Sequence, residues 1–347
     1  MLDKYVSSTY KTIPICIYHN HTHYTLTMPQ LNPQITIIVP LLNKVNEVCR
    51  AIDSIFAQTV QDFELLVVDG GSTDGSLDAI KKYEADSRFH IIHQKSKGLP
   101  AGRNEGIAAA AADIVAFLDA DDEWLPDFLE KILQLRDKFP NAGLYATAFV
   151  TCYKNSTDNP RLVDVPDSPW EGILPSYFRT SALAFIYPFM PSCAAIPKST
   201  FKKTGLFNPA LRTGEDSEMW GRIALEFPIA FNSSPKMRYY AVADNKMTNN
   251  PRVMKEHPFI TYLNSYPHDK LQSHPDYANI LLYLQKEEIG IALNNLYAGA
   301  PDAARENLKR VHEKQFMKYK SVLTALSYLP APLLKKILPV ANSLGRK

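Results

Sequence analysis

The chain of 347 residues has little cysteine and almost no net charge, and each shortage closes a class of function. Its four cysteines, Cys16, Cys49, Cys152 and Cys193, are far apart, with no C-x-x-C pair and no histidine at ligand spacing. That excludes a zinc knuckle and a disulfide framework and fits a reducing compartment. Lys plus Arg is 38 against 36 for Asp plus Glu, a net charge of +2, too balanced for a protein that grips nucleic acid by bulk charge. The uncharged run 180–197 is broken by Pro188 and Pro191 and falls short of the ~20 residues that span a bilayer, so no transmembrane helix is expected. The first strand is not followed by G-x-G-x-x-G, which argues against a dinucleotide-binding dehydrogenase.

What is present is an alternation. Residues 35–39 form a β-branched run ended by Pro40, the pattern of a fully buried parallel strand. Val45, Val48, Cys49, Ile52, Ile55 and Phe56 then recur at helical spacing. Further strands are read at 64–68, 89–92 and 114–118, with helices on Leu77 and Ile80, over 102–112, and after Pro126. Strand and helix in alternation predict an α/β layer with a parallel sheet, which binds ligands at the carboxyl ends of its strands. Asn43, Asp69, Asp119, Asp121 and Asp122 all fall at such ends. From about 142 to 244 the chain reads as antiparallel strands and loops, interrupted by a helix over 215–225 that has Glu215 and Asp216 in its first turn. Two helices follow over 277–312, the second of them within a hairpin that reads as a docking element. The chain thus divides into a polar leader over 1–33, read as solvated chain despite His19, His21 and His23, an α/β domain over 34–250, and a helical region over 251–347. From Lys314 to Lys347 there are seven basic residues and no acidic one, interleaved with leucines. Such a tail either lies on an anionic membrane surface or packs its apolar face on the body.

The motifs at 35–43, 67–75, 98–104, 117–122 and 214–220, in this order, resemble family 2 glycosyltransferases of the GT-A fold, whose layer is Rossmann-like with a mixed sheet. The resemblance covers about 35–244 and implies a metal-dependent inverting transferase that uses a nucleotide-diphosphate sugar, with UDP favoured. It implies that Asp121 contacts Mn2+ or Mg2+, that Asp119 contacts the metal or the donor ribose, and that Asp122 touches the sugar or caps the next helix. Hard carboxylate oxygens suit such a cation, which can stabilise a diphosphate leaving group. Asp69 is expected at the base, although Gly70 stands where many relatives have a second aspartate. Pro40 and Asn43 are expected to line the same pocket, and Arg103 to reach the diphosphate. Asp216 is the expected general base, with Glu215 its competitor. Trp220 and Tyr187 are the expected acceptor contacts, the latter in a wall with Phe189 and Met190. A glycan or lipid-linked acceptor at the inner face of the cell membrane completes this reading. The alternatives are a nucleotidyltransferase, disfavoured by the absence of a Gly-rich loop after the first strand, and a degenerate member that only binds glycan or a partner.

Overall fold

The computed structural model describes residues 33–242, 252–330, 332–334 and 336–338. The leader up to residue 32 lies outside them, as do Lys335, Arg346 and Lys347 of the basic tail. Strands β1 (Ile35–Leu41), β2 (Phe63–Asp69), β3 (Phe89–His93) and β4 (Ile114–Phe117) pair in parallel in the order β3-β2-β1-β4. β1 runs two residues past the β-branched stretch, so Leu41 pairs with Asp69 at the carboxyl edge. Ile37, Ile38, Leu65 and Val67 are buried, as continuous apolar strands under helices on both faces must be.

Helices α1 (Val48–Phe56), α2 (Ser76–Ile80), α3 (Leu99–Ala109) and α4 (Phe128–Lys138) alternate with these strands. α3 starts three residues earlier than the sequence suggests, because Pro100 fits the first turn, where its missing N–H costs nothing. It packs on β1 and β2, and a Cβ on Gly106 would come within 2.6 Å of the Ile38 side chain, so glycine sets the depth of that contact.

Beyond β4 the sheet becomes mixed. β5 (Glu123–Trp124), β6 (Leu144–Cys152), β7 (Thr157–Asp158), β8 (Glu171–Ile173), β9 (Ala194–Pro197) and β10 (Ile229–Tyr240) bring the sheet to ten strands among the described residues. β9 joins the halves, antiparallel to both β4 and β6. Helices α5 (Tyr177–Ala184), α6 (Lys198–Thr204) and α7 (Glu215–Glu226) lie in this second half.

Helices α8 (Pro258–Leu263), α9 (His268–Gln272), α10 (Tyr277–Tyr297), α11 (Pro301–Lys309) and α12 (Met317–Leu326) follow. They share the core of the sheet: one apolar cluster runs from β1 through Phe178, Phe189, Phe259 and Tyr283 to Leu308 and Leu323. The hairpin of α10 and α11 therefore keeps its inner face, with Ala292, Leu296, Ala304 and Leu308, inside this cluster. The tail divides its apolar residues. Leu323, Leu334 and Leu338 are buried, while Met317, Val322, Tyr328 and Leu333 face outward. Among the described residues no helix is long and apolar enough to cross a membrane.

Candidate active site

The loops after β1 and β2 are hydrogen-bonded to each other. Asn43, in the left-handed region at φ 54°, accepts the Thr73 N–H on Oδ1 (2.8 Å) and donates its own N–H to Ser72 Oγ (3.1 Å). Asn tolerates that conformation better than most side chains. Asp69 is buried at the end of β2, and its carboxylate accepts the N–H groups of Gly71 and Ser72, both at 3.1 Å. The structure thus gives this carboxylate the task of holding its own loop. Gly70 lies on the Gln94 amide, which a Cβ would approach to 3.2 Å. Pro40 is half-buried on the adjacent strand end.

At the end of β4 three carboxylates take three different partners. Asp119, 31% exposed, accepts Arg103 Nη2 at 3.0 Å. Asp121 accepts Lys44 Nζ at 2.9 Å, and Arg50 donates to the Asp121 carbonyl at 2.7 Å. Asp122 is 2% exposed and accepts the Ser192 hydroxyl at 2.6 Å. Ser192 also accepts the Asp119 N–H (3.1 Å), so this buried pair ties the β4 turn to the start of β9. In this structure Asp122 is an internal anchor, with its carboxylate turned to Ser192.

Helix α7 begins at Gly214, whose φ of 74° a larger residue would adopt only under strain. Glu215 turns inward and accepts Arg103 Nη1 at 3.3 Å. Arg103, 1% exposed, thus bridges β4 and α7 and is held by protein carboxylates where the sequence expects a diphosphate contact. Asp216 is half-buried and accepts the Ser217 N–H at 2.7 Å. Among the described residues no cation pairs with it. Arg103, paired with Asp119 and Glu215, puts the first turn of α7 beside the end of β4. Burial and then the charge of Asp216 raise the Glu215 pKa above its ordinary value, against Arg103. Partial burial likewise raises that of Asp119, against Arg103 and with the help of Asp121 and Asp216.

Trp220 is 1% exposed and packs with its ring centroid 5.6 Å from Phe189 and 6.1 Å from Phe207. An acceptor platform needs an open ring face, so Trp220 belongs to the core. Phe189 is buried with it, while Met190 is only half-buried. Tyr187 donates its hydroxyl to Glu287 at 3.0 Å, with Lys286 Nζ 4.1 Å from its ring centre.

The donor set at the end of β4 fits a hard divalent cation. Asp119, Asp121, Glu215 and Asp216 are four carboxylates against three cations, Lys44, Arg50 and Arg103, so the cluster keeps an excess of negative charge. Mg2+ and Mn2+ commonly take one or two carboxylates and complete their shell from substrate phosphates. Accordingly, no three His, Cys, Asp or Glu side chains converge as a protein-only metal cage among the described residues.

Residues 36–205 match the family model for Glycosyl transferase family 2. The chain carries a family 2 glycosyltransferase domain. TuaG of Bacillus subtilis, assigned to teichuronic acid biosynthesis as a glycosyltransferase, is 24% identical over 225 residues, covering 64% of this chain and 84% of TuaG. S. aureus TarS 1-349, solved in complex with UDP-GlcNAc, superposes with a TM-score of 0.58 at 16% identity over 90% of this chain and 92% of that one. The mannosyltransferase PcManGT of Pyrobaculum calidifontis, solved with GDP-Man and Mn2+, gives 0.54 at 19% identity, covering 89% and 84%. The glycosyltransferase domain has the GT-A fold of these structures, a mixed, curled sheet between helices. The chain spans about 30% of the length of the rickettsial glycosyltransferases it matches over 192 to 219 residues.

The family match ends before α7, so Asp216 lies outside it. Sequence reasoning missed Lys44, Ser192, His257 and Glu287. Lys44 follows Asn43 in the β1 loop and was findable there. No local pattern links Ser192, His257 or Glu287 to the site.

Proposed function

We propose that the chain transfers a sugar from a nucleotide-diphosphate donor, with UDP favoured, to a hydroxyl of a glycan or lipid-linked acceptor in surface polysaccharide synthesis. The observation that carries this reading is the meeting on Arg103 of Asp119, which follows β4, and Glu215, which opens α7 next to Asp216. In this reading the nucleotide lies along the loops of Asn43 and Asp69, and Asp121 with Asp119 would hold Mn2+ or Mg2+. When bound, the metal supplies positive charge to the diphosphate as it leaves. Asp216 takes the proton from the acceptor hydroxyl. Glu215, held inward by Arg103 and with a raised pKa, is the weaker base. One base and one displacement give inversion at the anomeric carbon.

The UDP-GlcNAc bound to TarS supports the donor class, and the Mn2+ bound to PcManGT supports the metal. The GDP-Man in the same structure makes GDP the donor to test against UDP. The assignment of TuaG supports a surface glycan. In this reading the outward residues of α12 and the exposed Lys318 and Lys336 rest on the inner face of the membrane. The test is Asp216→Asn: nucleotide binding persists and turnover is lost. Unchanged turnover would remove Asp216 from the role of base, and binding without turnover in the unaltered protein would favour a binding module.

A further inference from the structure

Behind the first turn of α7 lies a buried polar relay whose other members come from α8 and α10, beyond the family-matched segment. Ser217 Oγ, next to Asp216, is 3.0 Å from His257 Nε2. His257 Nδ1 accepts the Phe259 N–H at 3.2 Å, which leaves the ring proton on Nε2, directed at Ser217 and at Glu287 Oε2, 3.6 Å away. Burial lowers the His257 pKa against the pull of Glu287, so the ring is a neutral hydrogen-bond donor. Glu287, buried on α10, accepts Lys286 Nζ at 2.9 Å and the Tyr187 hydroxyl at 3.0 Å.

Stability alone does not call for this arrangement, since apolar side chains of similar volume fill such a buried site as well as an ion pair does. What the pair does hold is specific: Ser217 through His257, and Tyr187 through its hydroxyl. Ser217 is the residue next to Asp216, and Tyr187 joins the same relay through Glu287. We propose, resting on the role given above to Asp216, that Glu287 is a positioning residue that fixes the first turn of α7 and the Tyr187 wall. The C-terminal helices thereby complete the acceptor side of the site.

The test uses Ser217→Ala, Glu287→Gln, their combination, and Lys286→Met with Glu287→Leu, which keeps the volume buried without charge. In the ligand-free protein, amide exchange over 215–219 should rise about tenfold in the Glu287 variants while β1 and β2 stay protected. With UDP-GlcNAc as probe, release of UDP should fall about 10- to 100-fold in kcat, with KM for the donor within about twofold. The combination should be no worse than the poorer single variant, because both cut one relay. Unchanged exchange over 215–219 in the folded variants, losses that multiply, or an unchanged kcat would overturn the proposal. Should the unaltered protein turn over no nucleotide sugar, the functional reading fails on that count, while the exchange experiment still decides the positioning claim.

Discussion

On the donor edge, Asn43 and Asp69 sit at the ends of parallel strands, and their side-chain oxygens accept hydrogen bonds from backbone N–H groups nearby in the same edge. On the acceptor side, Ser217 on α7, His257 at the N-cap of α8 and Glu287 on α10 are buried and meet only through tertiary packing. The donor edge follows from strand geometry, since a parallel sheet brings the carboxyl ends of its strands together whatever their loops contain. The acceptor side depends on how the C-terminal helices dock. Arg103 joins the two, with Asp119 on one hand and Glu215 on the other.

The sharpest way to separate the halves is Asp216→Asn, expected to lower turnover by about 10²- to 10⁴-fold while UDP binding stays within error, by kinetics and calorimetry. Arg103→Met should break the link itself. It leaves Asp119 and Glu215 without their shared cation, a loss of about 3 kcal/mol in denaturant unfolding, at the low end for a buried pair because Asp119 is partly exposed. Trp220→Phe probes whether the acceptor side reaches the core. A loss of about 1 to 2 kcal/mol with an unchanged acceptor KM is the core outcome, whereas a raised KM would restore Trp220 as a sugar contact.

The smallest effect concerns the far end of α7. Burial opposes ionisation of Glu226, but hydrogen bonds from Lys203 (2.7 Å), Lys270 and Tyr266 (2.8 Å) hold its pKa down at about 2. A carboxylate with a depressed native pKa contributes stability above its unfolded value near 4.5, and that contribution is lost as pH falls toward 2. Glu226→Gln should therefore cost at most about 1 kcal/mol at neutral pH, given the exposed lysines, and flatten the acid limb of a stability–pH curve.

The parallel half was legible because its signals are local: β-branched runs, helical stripes, and polar residues where each strand ends. Even there, roles depend on neighbours the sequence does not reveal. Asp122 reads as a ligand-facing carboxylate until Ser192, seventy residues on, closes over it. Trp220 sits one turn from Asp216 and reads as a platform, yet Phe189 and Phe207 enclose it. Lys286 and Glu287 look like an ordinary surface pair on an amphipathic helix, and only the packing of α10 on α5 carries them inside.

The most direct test of the account is calorimetry of UDP binding, with and without Mn2+, on the unaltered protein, Asp121→Asn and Asp216→Asn. Mn2+-dependent binding is expected in the unaltered protein and in Asp216→Asn, and its loss in Asp121→Asn. Binding that ignores the metal, or that vanishes with Asp216, would contradict the division of the site into a donor edge and an acceptor side.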